Sequence, residues 1–341
     1  MEVMLVSLVI GSSVVDVLLH VPQLPRRGED VNIVSSSYRL GGCAYNVYKT
    51  MRRLESPARL CSPVGSGVYG RMVREWFAGE GIIPLANLDE ENGCCYCLVE
   101  HDGERTFMSH HGAEYRFSRS WMKDTDNSDH VDTVDMINMI DHSEVDSIFI
   151  CGIDVEDPTG NEIALYVQEH PKPELYFAPG PRIMYIAPDR MEIILNRRPV
   201  LHLNETEALA YAGYLTALAG SAAQGPFPAA GSGPDVEKAA AILTERTGNT
   251  VVITLGERGC YYRRPRNSGG GADTGGAGRP GSTAEPSRGF VPGFPVTVRN
   301  TIGAGDAHCG AFIALLKQGK NLRDACEGAN KTAAAVVGAG R

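Results

Sequence analysis

The chain has no stretch of about 18 uninterrupted apolar residues, the length a helix needs to cross a bilayer, so no membrane span is expected. It has no basic leader either. Met1 to Val15 is apolar, but it carries Glu2, contains no Lys or Arg, and runs through Gly11-Ser12-Ser13 into Asp16. That pattern is not the one expected of a secretory signal and fits a first buried strand better. Cationic excess is missing as well: 32 Lys and Arg stand against 41 Asp and Glu, for a net charge of −9. A nucleic-acid or anionic-membrane partner is therefore not expected, and any anion site has to be built from backbone and a few basic side chains. The nine cysteines are odd in number and lack framework spacing, which argues against a secreted disulfide protein. Cys94-Cys95-x-Cys97 lacks the second ligand pair of a metal site and reads better as a buried strand that uses Cys as a small apolar residue. No internal repeat stands out. What remains is an ordinary globular chain, 43% hydrophobic and 21% charged, whose 341 residues suffice for one large domain or two smaller ones.

The most informative stretch lies near the end, from Val298 to Phe312. The alternating apolar run Phe290 to Val298 predicts a strand, and Ala311 to Leu316 has helical character. Between them lies Asn300-Thr301-Ile302-Gly303-Ala304-Gly305-Asp306. A strand that turns through Gly-Ala-Gly into a helix leaves the first helical N–H groups unpaired, and the helix dipole adds positive charge there. Such a turn binds anions, and glycine lets a phosphate approach the backbone closely. Asp306 is out of place in an anion site unless it has a chemical task. Taking the proton from a hydroxyl that attacks a phosphoryl group is such a task. A dinucleotide fingerprint is excluded by spacing, because position 308 is His rather than Gly and the motif is not in a first βαβ unit.

The segment Asn300 to Asp306 resembles the second signature of the ribokinase-like (PfkB) carbohydrate kinases. Leu40-Gly41-Gly42-Cys43-Ala44-Tyr45-Asn46 resembles the first, and Asp16 precedes it at the expected distance. The resemblance runs from about Val3 to Gly340 and extends in particular to a group of uncharacterised bacterial sugar kinases. It implies an α/β fold: one ribokinase-like domain over 1–341, with a three-layer α/β/α core, a mainly parallel sheet and a small β-sheet lid. The lid strands are expected at about 30–39 and 92–109, the latter a hairpin across His101-Asp102-Gly103-Glu104. In the family such a lid closes over the sugar, excludes water as a competing acceptor, and often makes a homodimer contact.

The resemblance also implies roles. Asp306 is the general base, and the amides of Gly303, Ala304, Gly305 and Asp306 form the anion hole. Asp16, Gly41, Gly42 and Asn46 hold the sugar. By position alone Asp16, just past a strand from Val3 to Ile10, also fits a helix cap or turn, and Gly41-Gly42 fits a plain tight turn. Asn204 and Glu207 match an Asn-x-x-Glu motif that orders Mg²⁺ and its waters around ATP, Glu207 acting through water. On the residues alone, Asn204 is a helix N-cap followed by acids in the first turn. Thr254, Gly256 and Gly259, on the turn after a strand from Thr250 to Leu255, face the nucleotide in the family, and Asn330 lies near the adenine. Arg258 is read either as reaching a phosphate or as solvated. Further strands are expected at Arg59 to Val64, Ser147 to Cys151, Leu175 to Ala178 and Pro199 to Leu203, with helices at Ala44 to Leu54, Met72 to Gly81 and Leu322 to Val337. The acidic stretch Asp124 to Asp146 reads as solvated surface, and the Gly-, Ser- and Pro-rich stretches 220–234 and 265–289 as flexible insertions.

Three features depart from the family pattern. Asn300 replaces an Asp that helps hold potassium in cation-activated members, so K⁺ dependence is in doubt. His308 stands where an aromatic is common. The family generally continues past Arg341 with a segment that closes the adenine side, so an incomplete nucleotide pocket is expected. The leading reading is an ATP-dependent sugar kinase. A nucleoside kinase of the same fold and a catalytically weak sugar-binding or regulatory protein stand beside it, with Tyr45 either stacking on a base or packing in the core. Free thiols, the ATP requirement and the absent leader imply a cytoplasmic location.

Overall fold

The computed structural model describes residues 5–101, 104–122, 140–219, 235–265 and 287–339. The expected insertion at 220–234, most of that at 265–289 and most of the acidic stretch 124–146 lie outside them, as do Asp102-Gly103 of the hairpin turn.

Short β-branched and aromatic runs make the strands, and periodic apolar stretches make the helices. The first third holds β1 (Val6–Ile10), β2 (Val14–His20), β3 (Ser35–Gly41), α1 (Cys43–Arg53), β4 (Ala58–Cys61), β5 (Val64–Ser66), α2 (Gly67–Glu80), β6 (Asn87–Glu91), β7 (Cys94–Val99) and β8 (Arg105–His110). The middle holds β9 (Val145–Cys151), α3 (Gly152–Glu156), α4 (Gly160–Glu169), β10 (Glu174–Ala178), α5 (Pro188–Asn196), β11 (Val200–Asn204), α6 (Glu205–Ala219) and α7 (Val236–Thr247). The chain closes with β12 (Val251–Thr254), β13 (Cys260–Arg263), β14 (Arg288–Val291), α8 (Ala304–Lys317) and α9 (Leu322–Ala339).

Eight strands form the central sheet in the order β14-β13-β12-β11-β10-β9-β1-β4. From β4 to β12 all neighbours are parallel; β13 and β14 add an antiparallel edge. Alternation along the strands divides the core into two layers. Leu8, Ile10, Ile148, Ile150, Val251 and Ile253 pack with α4, α5, α6 and α7. Val9, Phe149, Val200 and Val252 face the other way, against α1, α8 and α9. This is the expected three-layer α/β/α core.

A second sheet, β3-β2-β7-β8, stands apart from the first as a lid. Here the sequence expectation needs correction. The lid strands are 35–41, 94–99 and 105–110 rather than 30–39 and 92–109, and the central lid strand, β2 at 14–20, was not foreseen. Asp16 therefore does not merely follow β1; it sits inside a lid strand, paired across to Arg39 and Cys95, with Cys95 paired to Ser109. Two other strands are shorter than expected. Pro63 divides 59–64 into β4 and β5, and Pro292 ends the run expected to reach Val298 at Val291. Arg288 and Gly289, placed in the second insertion, belong to β14. Helix α8 begins at Ala304 rather than Ala311, so Gly305 and Asp306 lie in its first turn. Among the described residues no helix is long and apolar enough to cross a membrane.

Candidate active site

Helix α8 starts from Gly303, whose φ of 72° is left-handed and suits glycine. The Ala304 amide donates to the Thr301 carbonyl (3.2 Å) and the Ala307 amide to the Gly303 carbonyl (2.8 Å). The N–H groups of Gly305 and Asp306 belong to the first turn, where an α-helix leaves its donors without intrahelical partners. Asn300 supports the turn from below: its side-chain oxygen accepts from the Ile302 N–H at 2.9 Å.

Two clefts meet over this helix end. One, of about 310 Å³, is lined by Asp16, Gly42, Asn46, Asn204, Glu207 and Asp306, among others. The other, of about 570 Å³, is lined by Thr254, Gly256, Gly259, Thr301, Ala304 and Asn330, among others. Thr254 and Gly305 line both. The first cleft lies under the lid and holds the residues expected to bind the sugar, hence acceptor cleft; the second holds most of those expected to face the nucleotide, hence nucleotide cleft.

In the acceptor cleft, Asp306 Oδ2 accepts from Asn46 Nδ2 at 2.9 Å and Oδ1 from the Cys43 thiol at 3.0 Å. Burial raises the Asp306 pKa, and these two donors oppose the rise. Cys43 remains a thiol, its pKa held well above the usual range by a hydrogen bond to Cys151 and by burial. Asp16 is pushed up to about 7 by burial and by the charge of Asp306, against the pull of Arg39. Gly41 is not part of the cleft wall but is needed beside it: a Cβ there would lie 2.1 Å from Asp16 Oδ2. Gly42, at φ 97°, would drive a Cβ to 2.6 Å from the Ser12 carbonyl.

Asn204 and Glu207 form a reciprocal cap between β11 and α6. The Asn204 backbone and side-chain N–H groups donate to the two Glu207 carboxylate oxygens (3.0 and 2.7 Å), and the Glu207 amide returns a bond to Asn204 Oδ1 (2.9 Å). Burial raises the Glu207 pKa, Asn204 lowers it, and the charge of Asp306 raises it further. Among the described residues no cluster of three or more His, Cys, Asp or Glu side chains is arranged to hold a metal by itself. The pair offers hard oxygens to an ion that arrives with phosphates and its own waters, and this suits Mg²⁺ rather than a metal caged by protein.

In the nucleotide cleft, Thr254 ends β12, and the turn carrying Gly256 and Gly259 joins it to β13. Gly259 approaches β14 so closely that a Cβ would lie 2.1 Å from the Val291 carbonyl. Asn330 stands in the wall, but its amide donates to the Val291 and Pro292 carbonyls (3.1 and 3.0 Å) and its oxygen meets His308 Nε2 (3.1 Å). His308 Nδ1 in turn meets His202 Nε2 at 2.8 Å. Arg258 bridges to Glu205.

The structure thus brings together Asp16, Gly42, Asn46, Asn204, Glu207, Gly303, Gly305 and Asp306 in one cleft, and Thr254, Gly256, Gly259, Ala304 and Asn330 in its neighbour. Sequence reasoning missed several wall residues. Cys43 lay inside the quoted signature, but nothing local marks a thiol as a partner of Asp306. Cys95, Phe107 and Ser109 share the lid face of Asp16, which becomes visible only once β2 is known to be a strand. His202 looked like one position of a buried strand.

Comparisons with known proteins point to one family and one fold. The pfkB family carbohydrate kinase model matches residues 4–340. The uncharacterized sugar kinase YegV of Escherichia coli K12 is 30% identical over 332 residues, covering 97% of this chain and 88% of its own. Among solved structures, a ribokinase from Thermotoga maritima superposes with a TM-score of 0.69 at 21% identity, covering 99% of this chain and 93% of that one. A nucleoside kinase from Methanocaldococcus jannaschii superposes with a TM-score of 0.67 at 16% identity, covering 98% and 92%. The chain belongs to the pfkB family of carbohydrate kinases, phosphotransferases whose acceptor is an alcohol group.

Proposed function

We propose that this protein transfers the terminal phosphoryl group of ATP to a hydroxyl of a sugar, with Asp306 as general base. The observation that carries the reading is the position of Asp306. Its carboxylate stands in the acceptor cleft, in the first turn of the helix whose start also walls the nucleotide cleft. Asn46 and Cys43 donate to both carboxylate oxygens and favour the ionised form against the burial that raises its pKa.

Asp16, Asn46 and the close backbone at Gly42 orient the sugar so that one hydroxyl faces Asp306. Asp306 accepts that proton as the oxygen attacks, a contribution typically worth about 10²–10⁴-fold in rate. The amides of Gly305 and Asp306 stabilise the charge that grows on the equatorial phosphoryl oxygens, and Gly303 and Ala304 shape the turn that presents them. Asn204 and Glu207 would hold a magnesium ion through its waters, and the ion would neutralise charge on the transferring phosphates. Thr254, Gly256 and Gly259 wall the nucleotide, with Asn330 bracing the segment opposite. The lid covers the acceptor and excludes water. The nucleotide requirement and the nine free thiols support a cytoplasmic setting for this chemistry.

A second reading, phosphorylation of a nucleoside, is favoured by one observation. Phe107 lines the acceptor cleft and is 54% exposed, a surface on which a base would stack. ADP release from Mg-ATP across a panel of pentoses, hexoses and nucleosides separates the two. Release with a sugar at micromolar to millimolar KM supports the first reading; release with nucleosides alone moves the assignment to the second. Absence of acceptor-dependent release overturns both.

A further inference from the structure

The polar balance of the two clefts is one-sided. Asp16, Glu207 and Asp306 line the acceptor cleft and Glu257 the nucleotide cleft, while none of the described residues lining either is Lys or Arg. A polyphosphate drawn across these walls meets carboxylates on the protein side and amides only at the start of α8. The lid must therefore be searched for the missing cation.

Register gives the answer. In β2, β7 and β8 the rows Asp16–Cys95–Ser109, Leu18–Cys97–Phe107 and His20–Val99–Arg105 stand two residues apart, so their side chains share one face of the lid; Arg39 of β3, paired with Asp16, joins that face, and its charge acts on the Asp16 carboxylate. That face looks onto the site, since Asp16, Cys95, Ser109 and Phe107 line the acceptor cleft. Ile302, in the turn before α8, packs against Leu18, Cys97 and Val99 on the same face. Arg105 ends this face. Its Nη1 donates to Thr301 Oγ1 at 2.6 Å, and Thr301 is itself a wall residue of the nucleotide cleft beside Ala304 and Gly305. The guanidinium thus stands beside the turn that leads into α8, next to a wall residue of the nucleotide cleft. Its remaining N–H groups form a planar fork suited to phosphate oxygens.

We propose that Arg105 is a catalytic residue of the transfer: it leaves Thr301 and binds the terminal phosphoryl group from the lid side, opposite the α8 amides. This rests on the kinase reading above. Phosphate charge is then clamped between two elements, helix start and lid, so that the positive group arrives only when the lid covers the acceptor.

The test compares Arg105→Ala and Arg105→Gln with the wild type. Glutamine can still donate to Thr301 but carries no charge, so it separates a structural latch from a phosphate ligand. Two readouts are needed. The first is kcat for acceptor-dependent ADP release, expected to fall roughly 10–100-fold in both variants, the range of a charge-assisted hydrogen bond, with partial rescue of Arg105→Ala by added guanidinium ion. The second is the affinity ratio for a non-hydrolysable ATP analogue against ADP, expected to drop about 10-fold because only the analogue carries the terminal phosphate. A kcat within about twofold of wild type in Arg105→Ala overturns the proposal and leaves the kinase reading standing. Lost turnover with an unchanged affinity ratio, or full activity in Arg105→Gln, makes Arg105 a structural latch and also overturns it. If the wild type releases no ADP with any acceptor, the kinase reading fails, and the affinity ratio alone still decides whether Arg105 meets the terminal phosphate.

Discussion

Asn46 Nδ2 lies 2.9 Å from Asp306 Oδ2 and ties the first turn of α1 to the first turn of α8. The two residues are 260 positions apart in sequence, and each lies in one of the two signature segments. The bond does two things. It aims the carboxylate, and by favouring the ionised form it works against the burial that raises its pKa. Replacing Asn46 by Ala removes a donor to the charged form, so the Asp306 pKa rises. The acid limb of the kcat/KM profile then moves to higher pH, and turnover at pH 7 falls by about 10-fold or more. A pH–rate profile for the variant that superposes on wild type contradicts the pairing.

Asp16 carries a stability cost, because burial and the nearby Asp306 charge raise its pKa. With its pKa raised to about 7, the folded protein holds a proton on Asp16 between roughly pH 4 and 7 that the unfolded chain releases. Folding binds the extra proton, so stability falls as pH rises through this window and levels off above it. Asp16→Asn removes that dependence. Its Tm advantage over wild type is expected to be small at pH 4.5 and to grow up to about pH 8, while acceptor affinity is lost. Thermal melts of both proteins at four or five pH values check the sign; an advantage that shrinks as pH rises contradicts the assignment.

The buried chain His202–His308–Asn330 fixes its own tautomers. The Asn330 amide is oriented by two carbonyl acceptors, so its oxygen faces His308 Nε2, which must carry a proton. A neutral His308 then accepts at Nδ1 from His202 Nε2. Burial and His308 hold the His202 pKa well below its ordinary value. The unfolded state therefore binds the extra proton, and stability is lost as pH falls below about 6.5. His308→Leu leaves His202 and Asn330 without their shared partner and is expected to cost about 1–3 kcal/mol, read from urea unfolding at pH 7.5. A loss under about 0.5 kcal/mol contradicts the chain.

The proposed reading gives Glu207 two separable roles. Gln keeps the backbone bond to Asn204 Oδ1 and one of the two bonds its side chain accepts from Asn204, and it removes the charge. Glu207→Gln is therefore expected to melt within a few degrees of wild type while the Mg²⁺ concentration for half-maximal turnover rises about 10-fold. An unchanged magnesium titration assigns Glu207 to capping alone.

The parts legible in the sequence are those whose cause is local. The turn Gly303-Ala304-Gly305-Asp306, the strands β9 to β12 and the cap at Asn204 follow from neighbouring residues, and the structure places them within a few positions of expectation. The lid was half legible. β7 and β8 were bracketed by the hairpin signal, but β2 follows β1 after only three residues, Gly11, Ser12 and Ser13, and reads as its continuation. Without β2 the shared face of Asp16, Cys95, Ser109 and Arg105 does not exist on paper. Long-range partners were not legible at all. The bond from Cys43 to Asp306 spans 263 positions, and that between His202 and His308 spans 106. His308, noted in the sequence only as standing where an aromatic is common, is buried and is the centre of a polar chain between the two clefts.

The central claim is that Asp306 accepts the acceptor's proton, and Asp306→Ala tests it most directly when nucleotide affinity and turnover are measured on the same preparation. The account predicts a Kd for ATP within a few-fold of wild type and acceptor-dependent ADP release lower by about 10²-fold or more. An Asp306→Ala protein that still releases ADP at near wild-type rate contradicts it.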